Sequence, residues 1–138
     1  MIRILIADDH DILRAGLRHI LADSPDIEVA AEATNGSEAI AQLRKELCDV
    51  LVLDLTMPGR NGIELIKQIR SDFPRLPLLI LSMHKEDIYA VRALKAGANG
   101  YLCKDNAEAF LAEAIRKVHA GGLFINQSVA ERLTMNIL

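Results

Sequence analysis

Val50-Leu51-Val52-Leu53-Asp54 is a short, continuously apolar run that stops on a carboxylate. Apolarity without alternation predicts a strand buried on both faces, as in the interior of a parallel sheet. Three other apolar runs also end on groups capable of chemistry: Ile2 to Ala7 at Asp8-Asp9, Leu78 to Leu81 at Ser82, and Tyr101 to Cys103 at Lys104. If these runs are neighbouring parallel strands, all of those groups meet at one rim of one sheet. Ligands of open α/β sheets bind there, outside the carboxyl ends of the strands.

The rest of the chain supplies the layers such a sheet needs. Strands are expected at residues 2–7, 27–33, 49–54, 78–82 and 99–103. Between them, helical spacing appears at Leu13, Leu17, Ile20 and Leu21, at Ile63, Ile66, Ile69 and Phe73, and more weakly at Ile88, Val91 and Leu94. Ala107, Leu111, Ala114, Ile115 and Val118 share a further helical face. Strands alternating with single helices imply right-handed crossovers and a parallel sheet covered on both sides. The second run alternates, with Ile27, Val29, Ala31 and Ala33 set against Glu28 and Glu32, which places it at a partly exposed edge. The expected fold is therefore a three-layer α/β/α sandwich of five parallel strands and five helices, in the flavodoxin-like order 2-1-3-4-5. That order puts Asp8-Asp9 beside Asp54.

Asn35-Gly36-Ser37, Pro58-Gly59 before Asn61-Gly62, and Gly121-Gly122 mark turns or helix ends. Residues 1–122 read as one domain. Residues 123–138 read as a tail that either docks as a short helix, with Ile125, Val129 and Leu133 at helical spacing, or begins a linker.

Composition narrows the function. A chain of 138 residues can bury a sizeable core without staples. A net charge of -3 argues against nucleic-acid binding by these residues, which would need a basic face. Cys48 and Cys103 match no disulfide or zinc spacing and read as reduced thiols, which suits the cytoplasm. No apolar run approaches the roughly 18 residues that suggest a membrane span.

At the rim, three crowded carboxylates repel, and the arrangement is tolerable when a cation binds them or one takes a proton. All-oxygen ligation favours Mg2+, with Mn2+ as an alternative. The expected ligands are Asp9, Asp54 and the backbone carbonyl of Thr56, with Asp8 acting through water. Asp54, at the tip of a rigid strand, is the candidate nucleophile for in-line attack on a phosphoryl group. Ser82 could donate a hydrogen bond to one phosphoryl oxygen, and Lys104 could offer its ammonium to another.

Five features in order at matching strand ends resemble the receiver domain of two-component response regulators, the CheY-like fold. They are Asp8-Asp9, Asp54 in Leu53-Asp54-Leu55-Thr56-Met57-Pro58-Gly59, Ser82, Tyr101 and Lys104, and the resemblance covers residues 1 to about 122. Asp8-Asp9-His10, Gly97-Ala98-Asn99-Gly100-Tyr101-Leu102 and Lys104-Asp105 are similar to the NarL/FixJ branch, whose members normally carry a LuxR-type helix-turn-helix output domain. The resemblance implies that a sensor histidine kinase phosphorylates Asp54 and that Ser82 and Tyr101 read the phosphate. It further implies that the surface of helix 4, strand 5 and helix 5 changes and that a homodimer forms on phosphorylation. DNA would be bound through the output domain, not by these residues, and no membrane is involved. Such a module is not an enzyme beyond taking phosphate from donors and slowly losing it. Many receivers have Pro after the Lys, in a cis peptide; Asp105 stands there, so the loop geometry stays open.

Simpler readings apply to the same residues. Asp8 and Asp9 could cap helix 1, and Ser82 the helix after strand 4. Thr56 and His84 fall where water would attack an acyl phosphate, while His10, His19, His84 and His119 show no metal-ligand spacing. Lys67, Arg70, Arg92 and Arg116 read as solvated helix faces. A phosphatase with an aspartyl-phosphate intermediate would place a second Asp two residues after the nucleophile, where Thr56 stands. A flavin carrier would not surround a phosphate with Asp8-Asp9-His10-Asp11.

Overall fold

The computed structural model describes residues 1–45, 48–57 and 61–137. Five parallel strands form one sheet: β1 (Ile2–Ala7), β2 (Ile27–Ala33), β3 (Val50–Asp54), β4 (Leu78–Ser82) and β5 (Gly100–Cys103). Their order is β2-β1-β3-β4-β5, as expected. Helices α1 (Asp11–Leu21), α2 (Gly36–Lys45), α3 (Gly62–Asp72), α4 (Asp87–Ala96) and α5 (Ala107–His119) cover it, and the tail adds α6 (Gln127–Ile137). The described helices thus number six, because the tail takes the first of its two expected forms.

The apolar run of β3 is explained by its two faces. Leu51 and Leu53 pack with Leu65, Ile66 and Ile69 of α3, while Val50 and Val52 pack with Leu17 of α1 and Leu111 and Ile115 of α5. Strand side chains alternate between faces, so a strand sandwiched by helices must be apolar at every position. All five residues of β3 are buried, Asp54 among them. β2 instead exposes Glu28 and half-exposes its middle, as an edge strand does.

Local chemistry sets the helix ends. Asn61 caps α3, its side chain accepting from the amides of Ile63 and Glu64. Asn35 Oδ1 accepts from the Glu38 amide at the start of α2, so the Asn35-Gly36-Ser37 signal marks a helix start. Gly97 ends α4 with φ of 127°, a left-handed conformation open to glycine at little cost. The Pro58-Gly59 part of the expected turn lies outside the described residues.

α6 is tied to the domain by two kinds of contact. Val129 is buried with Ala90 and Val91 of α4, and Ile125, Leu133 and Tyr101 pack around them. Asp87 of α4 accepts from Ser128 and faces Arg132 at 3.5 Å. Phe124, just before α6, exchanges main-chain hydrogen bonds with Asn99 and Tyr101 and extends the edge of β5.

Arg70 departs from the solvated reading, whereas Arg116 keeps to it, with its side chain 47% exposed. Arg70 donates to the carbonyls of Gly97, Phe73 and Pro74 and to Asn99 Oδ1, joining α3 to the loop between α4 and β5. Burial draws its guanidinium down from the ordinary arginine value. Arg116 makes two hydrogen bonds to Asp26, which bring that carboxyl down to about 2.

Candidate functional site

The carboxyl ends of β1 and β3 lie side by side, with Ala7 in register with Leu53. Asp8 and Asp54 therefore emerge next to one another, 0% and 1% exposed respectively. Burial of two like charges is unfavourable unless cationic groups face them. Lys104, directly after β5, supplies one: its Nζ lies 3.2 Å from Asp54 Oδ1 and 3.5 Å from Asp8 Oδ2.

The two oxygens of Asp54 have different surroundings. Oδ1 accepts from the Thr56 amide at 3.1 Å and the Thr56 hydroxyl at 2.9 Å. Oδ2 is buried and, among the described residues, has no hydrogen-bond partner; Asp8 Oδ2 also accepts no hydrogen bond, though the Lys104 ammonium faces it at 3.5 Å. A buried carboxylate oxygen without a partner is costly, and a cation or an incoming electrophile would satisfy it.

Ligand atoms of Asp8, Asp9, His10 and Asp54 all fall within 4.8 Å of one another. The three carboxylates form the all-oxygen set that suits a small hard cation, so these residues fit Mg2+. His10 was not expected in this group. Its Nδ1 lies 3.0 Å from Asp8 Oδ1 and 3.1 Å from Asp9 Oδ1, and its amide donates to Asp8 Oδ1 at 2.8 Å. Lone-residue spacing could not reveal this, because the histidine meets the carboxylates through a tight turn. Neither Asp8 nor Asp9 is the N-cap residue of α1: His10 holds that position without a capping hydrogen bond from its own side chain, and Asp8 reaches the helix start through its bond from the His10 amide.

Ser82 and Tyr101 are joined through one residue. The Ser82 hydroxyl accepts from the His84 amide at 3.0 Å, and the Tyr101 hydroxyl donates to the His84 carbonyl at 2.8 Å. Ser82 is fully buried at the end of β4 and bonds within the following turn rather than capping α4, whose N-cap position is Glu86, so the simpler reading of a helix cap does not hold. Burial raises the Tyr101 phenol above its ordinary value. The His84 ring stacks on Tyr89 with centroids 4.1 Å apart. After β5, residues Lys104–Asn106 form a single 3-10 turn, and no peptide bond among the described residues is cis, which answers the question left by Asp105.

A family model described as the response regulator receiver domain matches residues 4–116, and the chain belongs to that family. It is 37% identical over 132 residues to the transcriptional regulatory protein DegU of Brevibacillus brevis, covering 96% of this chain and 56% of DegU. To the response regulator UvrY of Escherichia coli it is 35% identical over 136 residues, covering 99% of this chain and 62% of UvrY. The chain thus spans less than two thirds of these relatives. Its backbone matches a LuxR-family two-component response regulator from an Aurantimonas species, with a TM-score of 0.87 and 36% identity over 98% of this chain and 96% of that one. The isolated receiver domain of RcsB from Salmonella enterica serovar Typhimurium, in the apo form, gives a TM-score of 0.88 at 30% identity, covering 97% and 99%. Its relatives are regulators of the LuxR/NarL type.

Proposed function

We propose that this chain is the phosphoacceptor module of a two-component response regulator, with Asp54 as the residue that carries the phosphoryl group. The observation that carries this reading is the Lys104 ammonium set between Asp54 and Asp8 while Asp54 Oδ2 stays buried without a partner. In the proposed reaction Asp54 Oδ2 attacks phosphorus of a kinase phosphohistidine, the P–N bond breaks, and the histidine nitrogen leaves with the electron pair. Bound Mg2+ would neutralise charge on the phosphoryl oxygens. Asp9, Asp54 and the Thr56 carbonyl are assigned as its ligands, with Asp8 acting through water. Lys104 and Ser82 are assigned to the phosphoryl oxygens, and Thr56 and His84 to the path of hydrolytic water.

The Ser82 hydroxyl accepts from the His84 amide, so in this reading a rotation of Ser82 toward the new dianionic group acts directly on His84. Because the His84 carbonyl is held by Tyr101, movement at one end of that residue reaches the other. The readout assigned to this coupling is the α4, β5 and α5 surface, a phosphorylation-dependent homodimer, and DNA binding through an output domain of the longer regulator. The assigned compartment is the cytoplasm; among the described residues no helix is long and apolar enough to cross a membrane. The test is treatment with a small phosphodonor with and without Mg2+, followed by intact mass and oligomeric state. One added phosphoryl group that needs both Mg2+ and Asp54 supports the reading.

A further inference from the structure

Arg14 stands one turn into α1, near the positive end of the helix dipole, where a cation is disfavoured. Its side chain is nonetheless only 11% exposed. Nη1 donates to the main-chain carbonyl of Asp8 at 2.5 Å, Nε donates to Glu32 of β2 at 3.0 Å, and Nη2 pairs with Asp11. Glu32 also accepts from Arg18 at 2.6 Å, so the carboxylate that holds Arg14 is itself held. On its other side the Asp8 amide donates to the Ala33 carbonyl. The peptide joining Asp8 to Asp9 is therefore gripped through the Asp8 carbonyl by a side chain that touches none of the rim carboxylate oxygens in these contacts.

We propose that Arg14, aimed by Glu32, is a positioning residue for the cation site: it fixes the Asp8–Asp9 peptide and so directs the Asp9 carboxylate at the metal. The inference rests on the Mg2+ reading of the rim. A planar fork can hold a carbonyl and two carboxylates at once, which a lysine ammonium on a flexible stem cannot reproduce. Groups that orient ligands from behind commonly govern metal affinity although they never touch the metal.

A positioning role and a purely electrostatic one predict opposite results. If Arg14 acted only through its charge, removing that charge would tighten binding of a cation, and Arg14→Lys would leave it unchanged. Positioning predicts that Arg14→Gln and Arg14→Lys both weaken Mg2+ about tenfold, with Glu32→Gln weaker by a smaller factor. The experiment titrates Mg2+ alone into the wild-type chain and the three variants, following amide NMR shifts at Asp9 and Thr56, with thermal unfolding without cation as the check on folding. Should Arg14→Gln fail to fold, Arg14→Lys and Glu32→Gln carry the test. In a parallel phosphodonor assay, the Mg2+ concentration for half-maximal rate shifts upward while the rate at saturating Mg2+ stays near wild type. Equal or tighter Mg2+ binding by the folded Arg14 variants overturns the inference alone. A wild-type chain that binds no Mg2+ overturns the cation reading and this inference together.

Discussion

Lys104 and Asp54 form a buried ion pair, Nζ to Oδ1 at 3.2 Å, across the gap between the ends of β5 and β3. The lysine side chain is 8% exposed and the aspartate 0%, so neither charge is well screened by water. Removing one partner of such a pair leaves an uncompensated charge. Lys104→Met is expected to lower unfolding free energy by about 3–5 kcal/mol at low Mg2+. Saturating Mg2+ should recover part of the loss, because a ligand that binds only the folded state stabilises it. Urea unfolding at both Mg2+ levels checks this; a deficit under about 1 kcal/mol would mean the pair behaves as a solvent-screened surface contact.

Gly97 and Gly121 separate backbone strain from side-chain collision. Both have positive φ, 127° and 94°, but a Cβ at Gly97 would lie 2.8 Å from Arg70 Cγ, whereas one at Gly121 would meet nothing within 4 Å. Gly121→Ala is expected to cost about 1 kcal/mol, the lower end for a strained backbone. Gly97→Ala should cost more, since Arg70 is fixed by Gly97, Asn99 and Phe73 and cannot swing away freely. Equal losses in paired denaturant titrations would show that Arg70 yields.

α6 should open independently of the sheet. Val129 is its buried anchor on α4, with Tyr101 of β5 packed beside it. Val129→Asp places a charge in that contact. Hydrogen exchange is expected to show loss of protection across residues 127–135 with β1, β3 and β4 unchanged, as local opening of a weakly held unit requires. Loss of protection throughout the sheet would make α6 part of the core.

The strands were legible because burial on two faces leaves a continuous apolar mark, and Asp54 stood out as the break in it. The edge position of β2 was equally plain from Glu28 and Glu32. α2 was harder to see: its buried stripe is short, Ala39, Ile40 and Leu43, and Asn35 gave the clearer sign. The acidic rim was legible once the strand order was known, since order alone sets Asp8 beside Asp54. What escaped were contacts that depend on side-chain reach. His10 lies against both carboxylates through a turn, Arg70 crosses to residues 27 and 29 positions away, and Arg14 meets Glu32 across 18. Nothing in a helical or strand period encodes such distances. The tail helix was half-legible, because Ile125, Val129 and Leu133 marked an apolar face without saying what it covers.

The central claim, that Asp54 accepts a phosphoryl group in a Mg2+-dependent reaction, is tested most directly by intact mass after phosphodonor treatment of the wild type and Asp54→Ala. The account predicts one added phosphoryl group on the wild type with Mg2+, almost none without it, and none on Asp54→Ala under either condition. Full modification of Asp54→Ala would contradict it.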